Sequence, residues 1–224
     1  MINLQLFKQA GLLVCFFLPF MSIAQTESGT DTIVLKKGLW VSGLEGGMSN
    51  SSIGNTGGSL GDEGFKYTFN FNSGVFVKEN LACGLNFRLT KASRTYNKFY
   101  TNEEEVYFGP WLRYYFKFQN NWYVYPELGL SYGGFYSEYI STIDNEVLLA
   151  KGNGPGVNPG IGVVYFVSQS SAFTIRWNYQ ANIFSGKTDV VTDLGTVSTV
   201  ITDVFYANST LLFGFQLYIN EFFF

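Results

Sequence analysis

Leu211, Phe213, Phe215, Leu217 and Ile219 share one parity near the end of the chain, while Gly214, Gln216, Tyr218 and Asn220 share the other. A period of two over this length predicts a β-strand with one apolar face. The pattern recurs upstream. In 65–77, Phe65, Tyr67, Phe69, Phe71, Val75 and Val77 alternate with Lys66, Thr68, Asn70, Asn72 and Gly74. Leu81, Cys83, Leu85, Phe87 and Leu89 do the same in 81–89, and Val106, Phe108, Leu112, Tyr114 and Phe116 in 106–116. Further alternating runs begin at Trp122 and cover 157–167 and 172–184. The first predicted strand, 38–47, is the least regular, and a Gly/Ser-rich stretch to Gly64 separates it from the second.

Short polar turns fall at 78–80, 119–121 and 168–171, and longer connections near 48–63, 92–104, 137–155 and 185–203. About eight alternating strands joined alternately by short and long connections predict an all-β fold, a transmembrane antiparallel up-and-down β-barrel. A soluble lipocalin-like barrel has the same period with the faces reversed. Here the polar set is rich in glycine and small residues, which suits a crowded lumen. The apolar set is rich in aromatics, which suits lipid. Pro110, Pro126 and Pro159 lie on the apolar parity. Each lacks a ladder donor, so bulges are expected there.

The first residues change the picture from barrel to exported barrel. Lys8 is followed by an apolar core from Ala10 to Phe20, and Ser22 and Ala24 precede Gln25. That is the layout of a secretory signal peptide over 1–24, leaving 25–224 as one barrel domain. The apolar core is too short for a transmembrane helix. Cys15 lies inside it behind Val14, where a lipoprotein signal needs a small residue. Aromatics make up 19% of the chain and charged residues only 14%, against about 25% in soluble domains. The net charge is −3, and removal of Lys8 makes it one unit more negative, which excludes a nucleic-acid partner. Beyond the signal only Cys83 remains, so no intrachain disulfide is available to the domain.

Candidate chemistry lies on the polar parity. Arg88, Arg113, Glu127 and Arg176 all point into the predicted lumen, and a hairpin centred on Asn120 sets Arg113 across from Glu127. Glu45 joins them if Trp40 and Leu44 face lipid. Charges in a narrow lumen must pair, so a structural ion-pair network is expected, with Trp111 and Tyr115 filling space beside it. A carboxylate among guanidiniums stays ionised and is poorly suited to act as a general acid. The chain has no histidine, which removes His-based hydrolytic mechanisms, and no metal site or cofactor is expected. The stretch "ANIFSGKT", 181–188, fits a relaxed phosphate loop, yet no parallel strand and helix flank it. Asp144, Asn145 and Glu146 read as the polar tip of a hairpin formed by "YISTI" and "EVLLA" rather than as calcium ligands.

The runs "GVFVKENLACGLNF", "YFGPWLRYYF" and "VNPGIGVVYFV" resemble the repeating pattern of small, porin-like outer-membrane β-barrel proteins of Bacteroidota-type bacteria. The resemblance covers about Lys37 to the C-terminus. It implies the outer membrane of a Gram-negative cell, outer-membrane lipid around the wall, and the barrel-assembly machinery as a partner in biogenesis. The aromatic ending Phe222, Phe223 and Phe224 is similar to the C-terminal assembly signal of that class, with Glu221 as a departure from the parity. The expected role is non-enzymatic, structural or partner-binding through surface loops or barrel wall, with a protein partner in a membrane complex; a small porin-like channel for small solutes or ligand uptake is the alternative.

Overall fold

The computed structural model describes residues 33–50, 63–96, 99–141, 146–192 and 195–220. They form nine strand segments: β1 Trp40–Asn50, β2 Glu63–Lys78, β3 Leu81–Tyr96, β4 Phe99–Tyr114, β5 Phe116–Gln119, β6 Trp122–Ser141, β7 Glu146–Phe166, β8 Ser171–Thr192 and β9 Gly195–Ile219. All neighbours run antiparallel. β4 and β5 are two halves of one stave, interrupted at Tyr115. The sheet closes on itself: β1 pairs with β2 on one side and with β9 on the other, and β4 meets β6. Closure gives each of the eight staves a hydrogen-bonded neighbour on both sides, which a span through hydrocarbon requires.

The pleat sends the apolar parity outward. Leu85 and Phe87 on β3, Phe108 and Leu112 on β4, Leu128 and Leu130 on β6, and Ile161 on β7 are all exposed on the outer wall. Leu112 is 47% exposed and its neighbour Arg113 is 0% exposed, so one residue step separates outside from lumen. The apolar band runs over 65–77 on β2, 81–89 on β3 and 106–114 on β4, at least the roughly nine residues a tilted strand needs to cross the bilayer core. Above it the outer face turns polar at a common level. Lys91 and Glu104 are register partners there, with an ion pair of 2.6 Å. Lys151 and Lys187 are register partners on β7 and β8, and Lys187 lies 3.7 Å from Asp189.

Three of the stretches expected to be long loops are strand. β3 runs to Tyr96 and β4 starts at Phe99; β6 runs to Ser141 and β7 starts at Glu146; β8 runs to Thr192 and β9 starts at Gly195. The "YISTI"/"EVLLA" hairpin is present, with Ser141 opposite Glu146, while Asp144 and Asn145 lie outside the described residues. The reason for the difference is physical. Apolar alternation reports a boundary between lipid and lumen, and it fades above the membrane although backbone pairing continues. The staves therefore rise well clear of the polar rim. Residues 181–188 lie inside β8, in an antiparallel ladder.

The prolines are accommodated without bulges. The β4–β6 ladder skips Gly109 and Pro110 yet resumes in the same register, Phe108↔Tyr132 before and Trp111↔Gly129 after. The β7–β8 ladder skips Asn158 and Pro159 between Val157↔Ala181 and Gly160↔Asn178. Pro126 lies opposite the break between β4 and β5. Missing N–H groups thus remove rungs without shifting the strands. The register shifts that do occur, at Phe76/Lys78, Lys117/Gln119 and Val190/Val191, involve no proline.

Candidate functional site

The lumen has three levels. Its lower end is closed by residues 33–39, which precede β1. Gly38, at φ 88, allows the turn from this segment into the strand. Backbone bonds hold it in place: Asn80 N–H donates to the Leu35 carbonyl at 2.9 Å, and Gly38 N–H to that of Phe76 at 2.8 Å. The Tyr123 hydroxyl donates to the Ile33 carbonyl at 2.7 Å. Leu35 and Leu39 are buried against inward-facing Phe76, Tyr115, Tyr123, Phe166 and Tyr218. The rings of Phe166 and Tyr218 have centroids 4.7 Å apart, and those of Phe76 and Tyr115 5.3 Å. Sequence reasoning assigned this segment no role, because a plug that crosses the staves has no period to betray it.

Above this apolar floor lies the charged layer. Register places Arg113 opposite Glu127. Arg113 Nε donates to Glu127 Oε2 at 2.8 Å, and its Nη2 pairs with the same oxygen. Arg176 Nη1 bonds Glu127 Oε1, and Arg176 Nη2 lies 2.5 Å from Glu45 Oε2. One carboxylate thus bridges two guanidiniums, and the second carboxylate holds the far side of one of them. Trp40 and Leu44 are half-buried, and Glu45 beside Leu44 is buried in the lumen. Arg113 is also stacked, its Cζ 4.2 Å from the Tyr125 ring centroid and 4.8 Å from that of Trp111. Such faces favour a planar cation.

Arg88 stands apart from these ion pairs. Its Nε donates to Asn70 Oδ1 at 3.4 Å and its Nη1 to Gln180 Oε1. Asn70 in turn donates to Glu45 Oε2 at 2.9 Å. A polar chain continues upward from Gln180 to Asn182, from Asn182 to the Tyr107 hydroxyl, and from that hydroxyl to Glu105 Oε2 at 3.0 Å. Glu105 is buried and was missed by sequence reasoning. It shares the inward parity of Tyr107, Trp111 and Arg113, but it adjoins the stretch read as a loop, where the alternation was not followed. With it, the described residues hold three buried guanidiniums and three buried carboxylates, of which Glu105 lies above the ionic layer and outside its ion pairs. The predicted aromatic terminus, Phe222, Phe223 and Phe224, lies outside the described residues.

An antiparallel eight-stave cylinder, apolar outside and ionic within, is the architecture of small outer-membrane barrels. The outer membrane protein OprG of Pseudomonas aeruginosa aligns with 85% of this chain and 100% of its own, at 14% identity and a TM-score of 0.57. A major outer membrane protein of Thermus thermophilus aligns over 81% of this chain and 99% of its own, at 13% identity and a TM-score of 0.52. Likenesses at this identity carry the fold, and not the bacterial lineage to which the sequence resemblance points. No protein-family model matches the sequence, and no curated protein matches it.

Proposed function

We propose that the protein is a non-enzymatic integral barrel of the outer membrane, exported by the signal peptide 1–24, which works through its wall and raised hairpins rather than as a channel. The observation that carries this reading is the sealed lumen: an apolar plug below, a balanced ionic layer above it. Paired carboxylates and a chain without histidine leave little for hydrolytic chemistry. In planar bilayers the purified barrel is expected to give no steady conductance of porin size. Steady large unitary steps would contradict the reading and favour the small-solute channel.

The orientation follows from the same frame. Short turns at 78–80, 119–121 and 168–171 belong to the periplasmic end of such barrels, and the taller hairpins to the cell surface. A cysteine at Thr95, exposed near the top of β3, is expected to react with an impermeant maleimide on intact cells in a Cys83→Ser background. A cysteine at Asn121 is expected to react only after the outer membrane is disrupted. The opposite pattern reverses the orientation.

A further inference from the structure

The third level of the lumen, above the ionic layer, is hollow. A cavity of about 230 Å³ opens here, lined by Glu103 and Glu105 from β4, Phe135 from β6, Phe184 and, at its rim, Lys187 from β8, and Tyr206 from β9. Glu105 is the register partner of Phe135, so the carboxylate and the first ring come from adjacent staves. The Phe135 and Phe184 rings have centroids 4.9 Å apart, and those of Phe184 and Tyr206 6.4 Å. Together they make a continuous aromatic wall.

The charges of this cavity are unevenly matched. Glu103 has Arg94 at 3.7 Å. Glu105 is 5% exposed and accepts from the Tyr107 hydroxyl, and the Tyr206 hydroxyl also interacts with it. Among the described residues no lysine or arginine forms an ion pair with it. Lys66 donates to the Tyr206 hydroxyl at 3.3 Å and lies 5.9 Å from its ring centroid, and Lys187 at the rim pairs with Asp189 at 3.7 Å. A buried carboxylate held by neutral donors is expensive, and a cation beside it recovers part of that cost. Aromatic faces next to it add attraction for the same cation.

We infer that this cavity binds a small amphiphilic cation, an ammonium group carried on an apolar body. The ammonium lies against Glu105, and the body lies against Phe135, Phe184 and Tyr206. The volume is below the roughly 300–1,000 Å³ of pockets for drug-sized ligands, which limits the occupant to a smaller molecule. Tyr107, Asn182, Gln180 and Arg88 continue the hydrogen-bonded chain below, so the cavity has a floor toward the ionic layer.

The test uses the whole barrel refolded in lipid nanodiscs, with ring-labelled tyrosine observed by NMR. Three probes of similar shape are titrated: 2-phenylethylammonium, neutral 2-phenylethanol and anionic 3-phenylpropionate. The ammonium probe is expected to saturate and to bind about tenfold tighter than the alcohol, with the anion weakest. Glu105→Gln is expected to abolish the preference for the ammonium over the alcohol. Ala150→Trp, which fills the cavity from β7, is expected to abolish binding of all three. Equal affinity for ammonium and alcohol, no saturable shift, or ammonium binding untouched by Ala150→Trp would each overturn the site. If Glu105→Gln does not refold, the wild-type probe series and Ala150→Trp still decide it. The readout needs neither conductance nor an assigned orientation, so its failure is separable from failure of the barrel's proposed role.

Discussion

Glu127→Ala is expected to destabilise the refolded barrel by about 3–5 kcal/mol, and adding Arg113→Ala is expected to return part of that loss. The single substitution removes the carboxylate that two guanidiniums share. Arg176 keeps Glu45 as a partner, but Arg113 is left with the Tyr115 hydroxyl at 3.0 Å and the ring faces of Trp111 and Tyr125. Ring faces and one neutral hydroxyl do not replace a carboxylate bonded through two guanidinium nitrogens in a buried layer. Removing Arg113 as well takes away the stranded charge, so the double variant falls short of additivity. Urea unfolding in lipid vesicles measures all three variants on one scale. Simple additivity would mean that Arg113 and Glu127 are not coupled, despite their register.

The second large effect belongs to the outer wall. Leu112→Arg is expected to cost about 2–4 kcal/mol in a bilayer, because Leu112 sits midway along the apolar band of its stave. Ile201→Arg, on β9 beyond the apolar band, is expected to cost about 0–1 kcal/mol, although Ile201 is the more exposed of the two at 84%. On a soluble barrel both substitutions would be close to neutral, since both side chains already face outward. The difference between them therefore measures the depth of the membrane and not mere exposure. Equal small costs, with both variants refolding like the parent in vesicles, would remove the lipid from the account.

What the residue pattern made legible is what lipid and turn geometry control. Alternation over 65–77, 81–89 and 106–116 located those staves and sorted their faces, because each residue step there crosses from hydrocarbon to lumen. The turn at Asn120 set the register, and from it the partnership of Arg113 with Glu127 could be counted off. Glu45 followed once Trp40 and Leu44 were set against the lipid. The staves above the rim were not legible, since Thr95, Ser185 and Asp203 face water outside and carry no apolar signal. Glu105 was hidden by the same loss of contrast. The plug formed by Leu35 and Leu39 was hidden for another reason: its contacts are non-local and aperiodic. Pro110, Pro126 and Pro159 misled in a small way, because a lost rung can be absorbed without inserting a residue.

The claim on which all of this rests is that the chain is turned inside out relative to a soluble barrel. Acyl-chain quenching tests it directly. In vesicles of lipid brominated along the acyl chain, a variant that keeps only Trp177, 47% exposed on the outer wall, is expected to be strongly quenched. A variant that keeps only Trp111, 3% exposed and donating to the Leu85 carbonyl at 3.0 Å, is expected to be quenched weakly or not at all. Strong quenching of Trp111 with Trp177 unaffected would contradict the account.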